Sequence, residues 1–119
     1  MKLLILFISL FVCSATAISQ TSYTWNGSVS SAWNTPANWS PAGIPGSADN
    51  VTIVTGSNTC LLNANASINN ITVTSGTLDL GTFALTVAGP VATFTTGTVQ
   101  NGTINVSGAT TTLFGNGPV

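Results

Sequence analysis

From residue 51 onward the chain alternates apolar and polar side chains in short runs. In ITVTSG, Ile71 and Val73 fall on one side and Thr72 and Thr74 on the other, because successive strand residues point to opposite faces. TLDLG turns Leu78 and Leu80 inward and leaves Asp79 outward, and FALTVAG aligns Phe83, Leu85 and Val87. Val51-Thr52-Ile53 begins the same alternation. The runs last three to five residues and stop at Gly76, Gly81, Gly89-Pro90 and Gly97. No window carries a helical period, so the pattern predicts many short strands joined by tight turns.

The second half also resembles itself. ITVTSG-TLDLG from Ile71, LTVAG-PVATFTTG from Leu85 and INVSG-ATTTLFG from Ile104 share a strand, a glycine turn and a second short strand, starting fourteen and then nineteen residues apart. Repeats of about 20 residues point to a solenoid, whose units bury their faces against their neighbours. A drifting period also suits an ordinary antiparallel sandwich. The expected fold is all-β, a right-handed parallel β-helix or β-solenoid, with a β-sandwich as the alternative.

Ahead of the first regular strand lies WNGSVSSAWNTPANWSPAGIPGSADN, with Trp25, Trp33 and Trp39 inside fifteen residues. Exposed indoles stack on sugar rings and donate to hydroxyls, which makes these three the candidate carbohydrate contacts. The competing reading is structural. The first unit of a stack has no neighbour on one side, and three bulky rings supply apolar area for an N-terminal cap. Pro41, Gly43, Pro45 and Gly46 then form a turn-rich loop, and Asp49 is expected to hydrogen-bond nearby backbone N–H groups rather than hold calcium.

Composition narrows the chemistry. Residues 1–17 have a lysine, a ten-residue apolar run and Ala15-Thr16-Ala17, the three-part pattern of a secretory signal peptide cut after Ala17. The run is short of the about 20 residues that span a bilayer, so no integral span is expected after cleavage. Val12 stands before Cys13 where a lipoprotein signal wants a small residue. Beyond residue 17 the ionisable acids are Asp49 and Asp79, and there is no Lys, Arg or His. Phosphate neutralisation needs cations, so nucleic acid is not an expected partner. General acid–base work and zinc binding need more ligating groups than these, so no catalytic residue, metal or cofactor is expected and the chain reads as a non-enzyme. Cys60, the one cysteine past the leader, reads as a small buried apolar residue.

The spacing W-x13-W-x5-P-x3-D-x-V-x-I, at Trp25, Trp39, Pro45, Asp49, Val51 and Ile53, joins the LTVAG and INVSG repeats in a family likeness. It resembles the N-terminal part of large secreted bacterial parallel β-helix proteins, many of them adhesin-like. GIPGSADNVTI followed by ITVTSGTLDLG also resembles the extracellular eight-glycine β domain. The resemblance implies a secreted or cell-surface setting, with surface glycans or further solenoid repeats as partners, and carries over no catalytic residue.

The division expected is 1–17 signal peptide, 18–50 Trp-rich cap with its Pro/Gly loop, and 51–119 solenoid coils that stop short of a closing repeat at LFGNGPV. The functional expectation is an exported structural or adhesin-like segment without catalysis. A carbohydrate-binding module or the leading part of a polysaccharide-degrading β-helix enzyme is the alternative. T-x-T pairs at Thr72/Thr74, Thr93/Thr95 and Thr110/Thr112 add a minor one, ice binding by an outward threonine ladder, against ordinary β propensity. Seven N-x-S/T sequons, at Asn26, Asn38, Asn50, Asn65, Asn70, Asn101 and Asn105, are the chance matches of an Asn- and Thr-rich chain. Asn63, Asn65, Asn69 and Asn70 are expected to bond within turns.

Overall fold

The structure is a computed structural model that describes residues 19–108 and the backbone of 110–113. The signal-peptide reading of 1–17 and the closing residues 114–119 lie outside the described residues. Among the described residues twelve strands follow one another: β1 (Ser22–Trp25), β2 (Trp39–Ser40), β3 (Asn50–Ile53), β4 (Cys60–Leu61), β5 (Ala66–Ile68), β6 (Asn70–Val73), β7 (Thr77–Asp79), β8 (Ala84–Val87), β9 (Val91–Phe94), β10 (Thr98–Gln100), β11 (Thr103–Val106) and β12 (Thr110–Leu113). A 3₁₀ turn, Pro36–Asn38, precedes β2.

The strands form three sheets, ordered β12-β9-β6-β3-β1-β2, β10-β7-β4 and β11-β8-β5. Eight of the nine strand pairings are parallel, which departs from the antiparallel pattern of a sandwich. In the first sheet, β3, β6, β9 and β12 begin at Asn50, Asn70, Val91 and Thr110, so the chain returns to this sheet after 20, 21 and 19 residues. Between returns it visits the other two. The molecule is therefore all-β, with several mostly parallel sheets.

Register places like beside like. Val51 pairs with Ile71 and Ile71 with Ala92, while Ile53 pairs with Val73 and Val73 with Phe94. Cys60, Leu78 and Val99 align in the second sheet, and Ile68, Val87 and Val106 in the third. These inward columns are the core: Ile53, Cys60, Ile68, Ile71, Val73, Leu78, Leu85 and Val87 are all 0% exposed. Fully burying one such aliphatic chain stabilises by about 1.5–3 kcal/mol, so the stack rests on many equivalent contributions.

One expectation needs correction. Leu85 and Ile104 are register partners in the third sheet, but Ile71 pairs with Val51 and Ala92 in the first. The fourteen-residue interval thus measures a step from one sheet to another, not a repeat. An apolar-polar-valine strand reads the same on any sheet, because alternation records only which side is buried.

The segment 18–50 is expected as a Trp-rich cap with a Pro/Gly loop. Part of it is itself strand. β1 lies parallel to β3, with Tyr23 opposite Val51 and Thr24 opposite Thr52. Ala32 forms a parallel bridge with Leu61, through Trp33 N–H to the Leu61 carbonyl at 2.9 Å and Leu61 N–H to the Ser31 carbonyl at 2.8 Å. β2 folds back antiparallel on β1 and ends the first sheet, followed at once by Pro41. The backbone groups along β3 and β4 need partners, and this segment provides them. A proline beside the edge strand offers no N–H to a further strand.

Candidate functional site

The tryptophans occupy one cluster. Trp39 stands edge-on to Trp25 at 5.0 Å and 77°, and to Trp33 at 4.7 Å and 76°, with Tyr23 at 6.3 Å and 75°. Such T-shaped pairs set the positive edge of one ring against the negative face of another. Trp25, Trp33 and Trp39 are 1%, 1% and 2% exposed and share one core with Val51, Ile53, Cys60 and Leu62. None presents a ring face on which a sugar could stack. Two of the indoles also spend their N–H inside the protein: Trp25 Nε1 donates to the Asn58 carbonyl at 2.9 Å and Trp39 Nε1 to the Trp33 carbonyl at 2.8 Å. Trp33 Nε1 is buried without a partner.

The loop around this cluster is organised by Asn38, which composition alone did not single out. It is 0% exposed. Its Oδ1 accepts from the N–H groups of Val29 and Ser30, both at 2.9 Å, and its Nδ2 donates to Ser30 Oγ at 3.0 Å and the Ala32 carbonyl at 2.9 Å. Its own carbonyl accepts from Asn26 and Gly27. The asparagine of the Asn38-Trp39-Ser40 sequon thus lies buried within this network, while Ser40 is exposed. Gly43 closes the next turn against Tyr23, where an added Cβ would lie 2.6 Å from the phenol oxygen.

Each carboxylate is likewise engaged in structure. Asp49 Oδ1 accepts from Thr21 N–H at 2.9 Å and Oδ2 from Gly46 N–H at 2.8 Å, holding the loop to the start of β1. Asp79 projects outward from β7 and accepts from Gln100 Nε2 at 2.8 Å, Asn101 Nδ2 at 2.9 Å and Gly81 N–H at 2.8 Å. The Asn101 bond first, then those of Gln100 and Gly81, hold its carboxyl below the usual range. Asp49 leads into the first sheet and Asp79 belongs to the second, so they do not form a pair. Burial pushes the Cys60 thiol far up, which keeps it from the reactive thiolate form. Among the described residues no three of His, Cys, Asp and Glu gather as metal ligands.

The asparagines bond along the stack rather than within turns. Asn70 Nδ2 and Asn69 Nδ2 donate to Asn50 Oδ1 at 2.9 and 3.1 Å, Asn70 Oδ1 accepts from Val91 N–H, and Asn65 Oδ1 accepts from Ala84 N–H. Asn63 Oδ1 reaches Asn34 N–H at 3.3 Å. Of the T-x-T pairs, Thr72/Thr74 lies beside Thr93/Thr95 on the neighbouring strand, and Thr110/Thr112 is out of step. Thr72 and Thr93 share a column, but Thr74 and Thr95 turn their hydroxyls onto the carbonyls of Ile53 and Val73. By register Thr112 joins the Thr93 column, whereas Thr110 stands opposite Val91.

Among the described residues no helix is long and apolar enough to cross a membrane. No curated protein and no solved structure matches the chain. Residues 24–109 match the family described as a domain of unknown function, DUF8693, from within β1 to the residue before β12, and the chain belongs to that family.

Proposed function

We propose that the chain past its leader is a β-solenoid segment of an exported protein, non-catalytic, which displays or spaces functions at a cell surface in the manner of an adhesin stalk. The observation that carries this reading is the in-register parallel pairing of three sheets, each revisited after about one 20-residue turn. An apolar interior continuous from Tyr23 to Val106 suits a rigid spacer. The Trp25, Trp33 and Trp39 cluster acts as the N-terminal cap of that stack. The engagement of Asp49, Asp79 and Cys60 in structural roles supports a reading without catalysis.

The double substitution Thr52→Cys with Thr72→Cys tests the architecture, since register neighbours on adjacent strands fall within the Cα spacing of about 4.4–6.8 Å that a disulfide accepts. Oxidation is expected to join them without loss of β-type circular dichroism. Failure to cross-link in the folded protein overturns the solenoid. Expression from the native leader is expected to release a chain beginning at Ile18, read by N-terminal sequencing, with no release of sugar from polysaccharides. Retention of the uncut chain inside the cell overturns export, and polysaccharide turnover overturns the non-catalytic reading.

A further inference from the structure

The outward side of the first sheet carries a row that sequence spacing concealed. Thr24 pairs with Thr52, Thr52 with Thr72 and Thr72 with Thr93, so four consecutive strands each place a threonine at the same register position. The backbone position of Thr112 continues the row on β12. Thr24, Thr52, Thr72 and Thr93 are all half-exposed. Their hydroxyls are not drawn into the backbone bonds that occupy Thr74, Thr95, Thr96 and Ser107 among the described residues. They project from strands whose spacing is fixed by the sheet at about 4.8 Å.

That spacing is close to one that water adopts by itself. With O–H···O bonds of about 2.75 Å and tetrahedral angles, two oxygens bonded to a common water lie about 4.5 Å apart. Adjacent threonine hydroxyls therefore stand near the separation at which one water bridges two neighbours, strand after strand. The row is also held still. Beside it Asn50 Oδ1 accepts from Asn69, Asn70 and, at 3.4 Å, Gln20, which ties the neighbouring column along the stack direction. No charge competes for the water: the chain past its leader has no Lys, Arg or His, Asp79 lies on another sheet, and both Asp49 oxygens are bonded to backbone N–H groups. A charged group would organise its own hydration shell, whereas threonine offers one hydroxyl and one methyl.

We propose that this face binds ordered water, and through it the surface of ice, along the Thr24–Thr52–Thr72–Thr93 row. The partner is a neutral repeating lattice, not a single small molecule, because the row repeats one group without a concave site. The inference stands apart from the cell-surface reading and holds or fails with the row alone.

The purified chain, residues 18–119, is examined for thermal hysteresis and for inhibition of ice recrystallisation, with its fold followed by circular dichroism. The folded protein is expected to show both activities. Thr72→Lys, in the middle of the row, is expected to return them to the buffer baseline. Thr86→Lys, on the outward side of the third sheet, is expected to leave them intact. Thr52→Val, nearly isosteric, removes one hydroxyl and reports on the row should Thr72→Lys fail to fold. A folded parent chain without either activity overturns the proposal, as does equal loss in the Thr72 and Thr86 variants. Retention on insoluble polysaccharide in the absence of ice activity also overturns it, assigning the row to a sugar lattice.

Discussion

Asn38 is wholly buried yet satisfied on every side, its amide divided between Val29, Ser30 and Ala32. Removing that amide leaves buried backbone groups without partners, at about 1–3 kcal/mol for each group stranded. Asn38→Ala is therefore expected to destabilise the protein by about 3 kcal/mol or more, measured by urea unfolding. The tryptophans provide a finer comparison. Trp39→Phe and Trp33→Phe remove the same ring volume, but the first also strands the Trp33 carbonyl while the second discards an N–H that has no partner. Trp39→Phe is expected to cost about 1–3 kcal/mol more than Trp33→Phe. Equal losses would show that packing alone decides the cluster. The sequence marked these rings as a group by their density, but an asparagine in a polar loop looks like any other, and only its neighbours in space show its task.

Among the elements, β7 and β10 are tied on their outward side by Asp79, Gln100 and Asn101. The ionised carboxylate accepts these bonds, so the folded acid is stronger than the unfolded one. Its contribution is complete above the ordinary carboxylate range, near about 3.9 for Asp, and is lost as pH falls through the lowered folded value. Unfolding midpoints taken from pH 7 downward are expected to decline in that window, and Asp79→Asn is expected to flatten the decline. An unchanged slope in the variant would overturn this role for Asp79. Element identity was largely legible: the alternation at Val51-Thr52-Ile53, Ile71–Val73 and Leu85–Val87 marks β3, β6 and β8 with the buried side correct. Their phase was not. Ile71 and Leu85 look equivalent in sequence but lie on different sheets, because local alternation carries no information about which strand will pair with which.

On the scale of the molecule, each return of the chain touches mainly the return before and the return after, so stability accumulates from neighbour to neighbour. Residues 19–49 are the neighbour of β3 and β4. Without them Val51, Ile53, Cys60 and Leu62 lose part of their cover and β3 loses one of its two partner strands, keeping β6. A chain starting at Asn50 is expected to lose its cooperative thermal transition and its resistance to proteolysis. A truncated chain that still melts cooperatively would overturn the capping role of the tryptophans.

The sequence by itself determined the class of structure and much of its chemistry. Alternating Val, Ile and Leu with glycine stops specify short strands, and residues 18–119, with Asp49 and Asp79 as their only charged side chains, leave little for ionic recognition. These are local properties, set by side-chain direction and by counting. Tertiary structure decided the rest: that Asn38 is the hub of a buried network, that Ser22–Trp25 is a strand of the first sheet, that Asn50, Asn69 and Asn70 bond along the stack, and that the threonine row runs Thr24–Thr52–Thr72–Thr93, taking one residue from each of two T-x-T pairs. Each depends on register between segments about twenty or more residues apart, which is fixed when the inward columns pack together and which no short window of the chain contains.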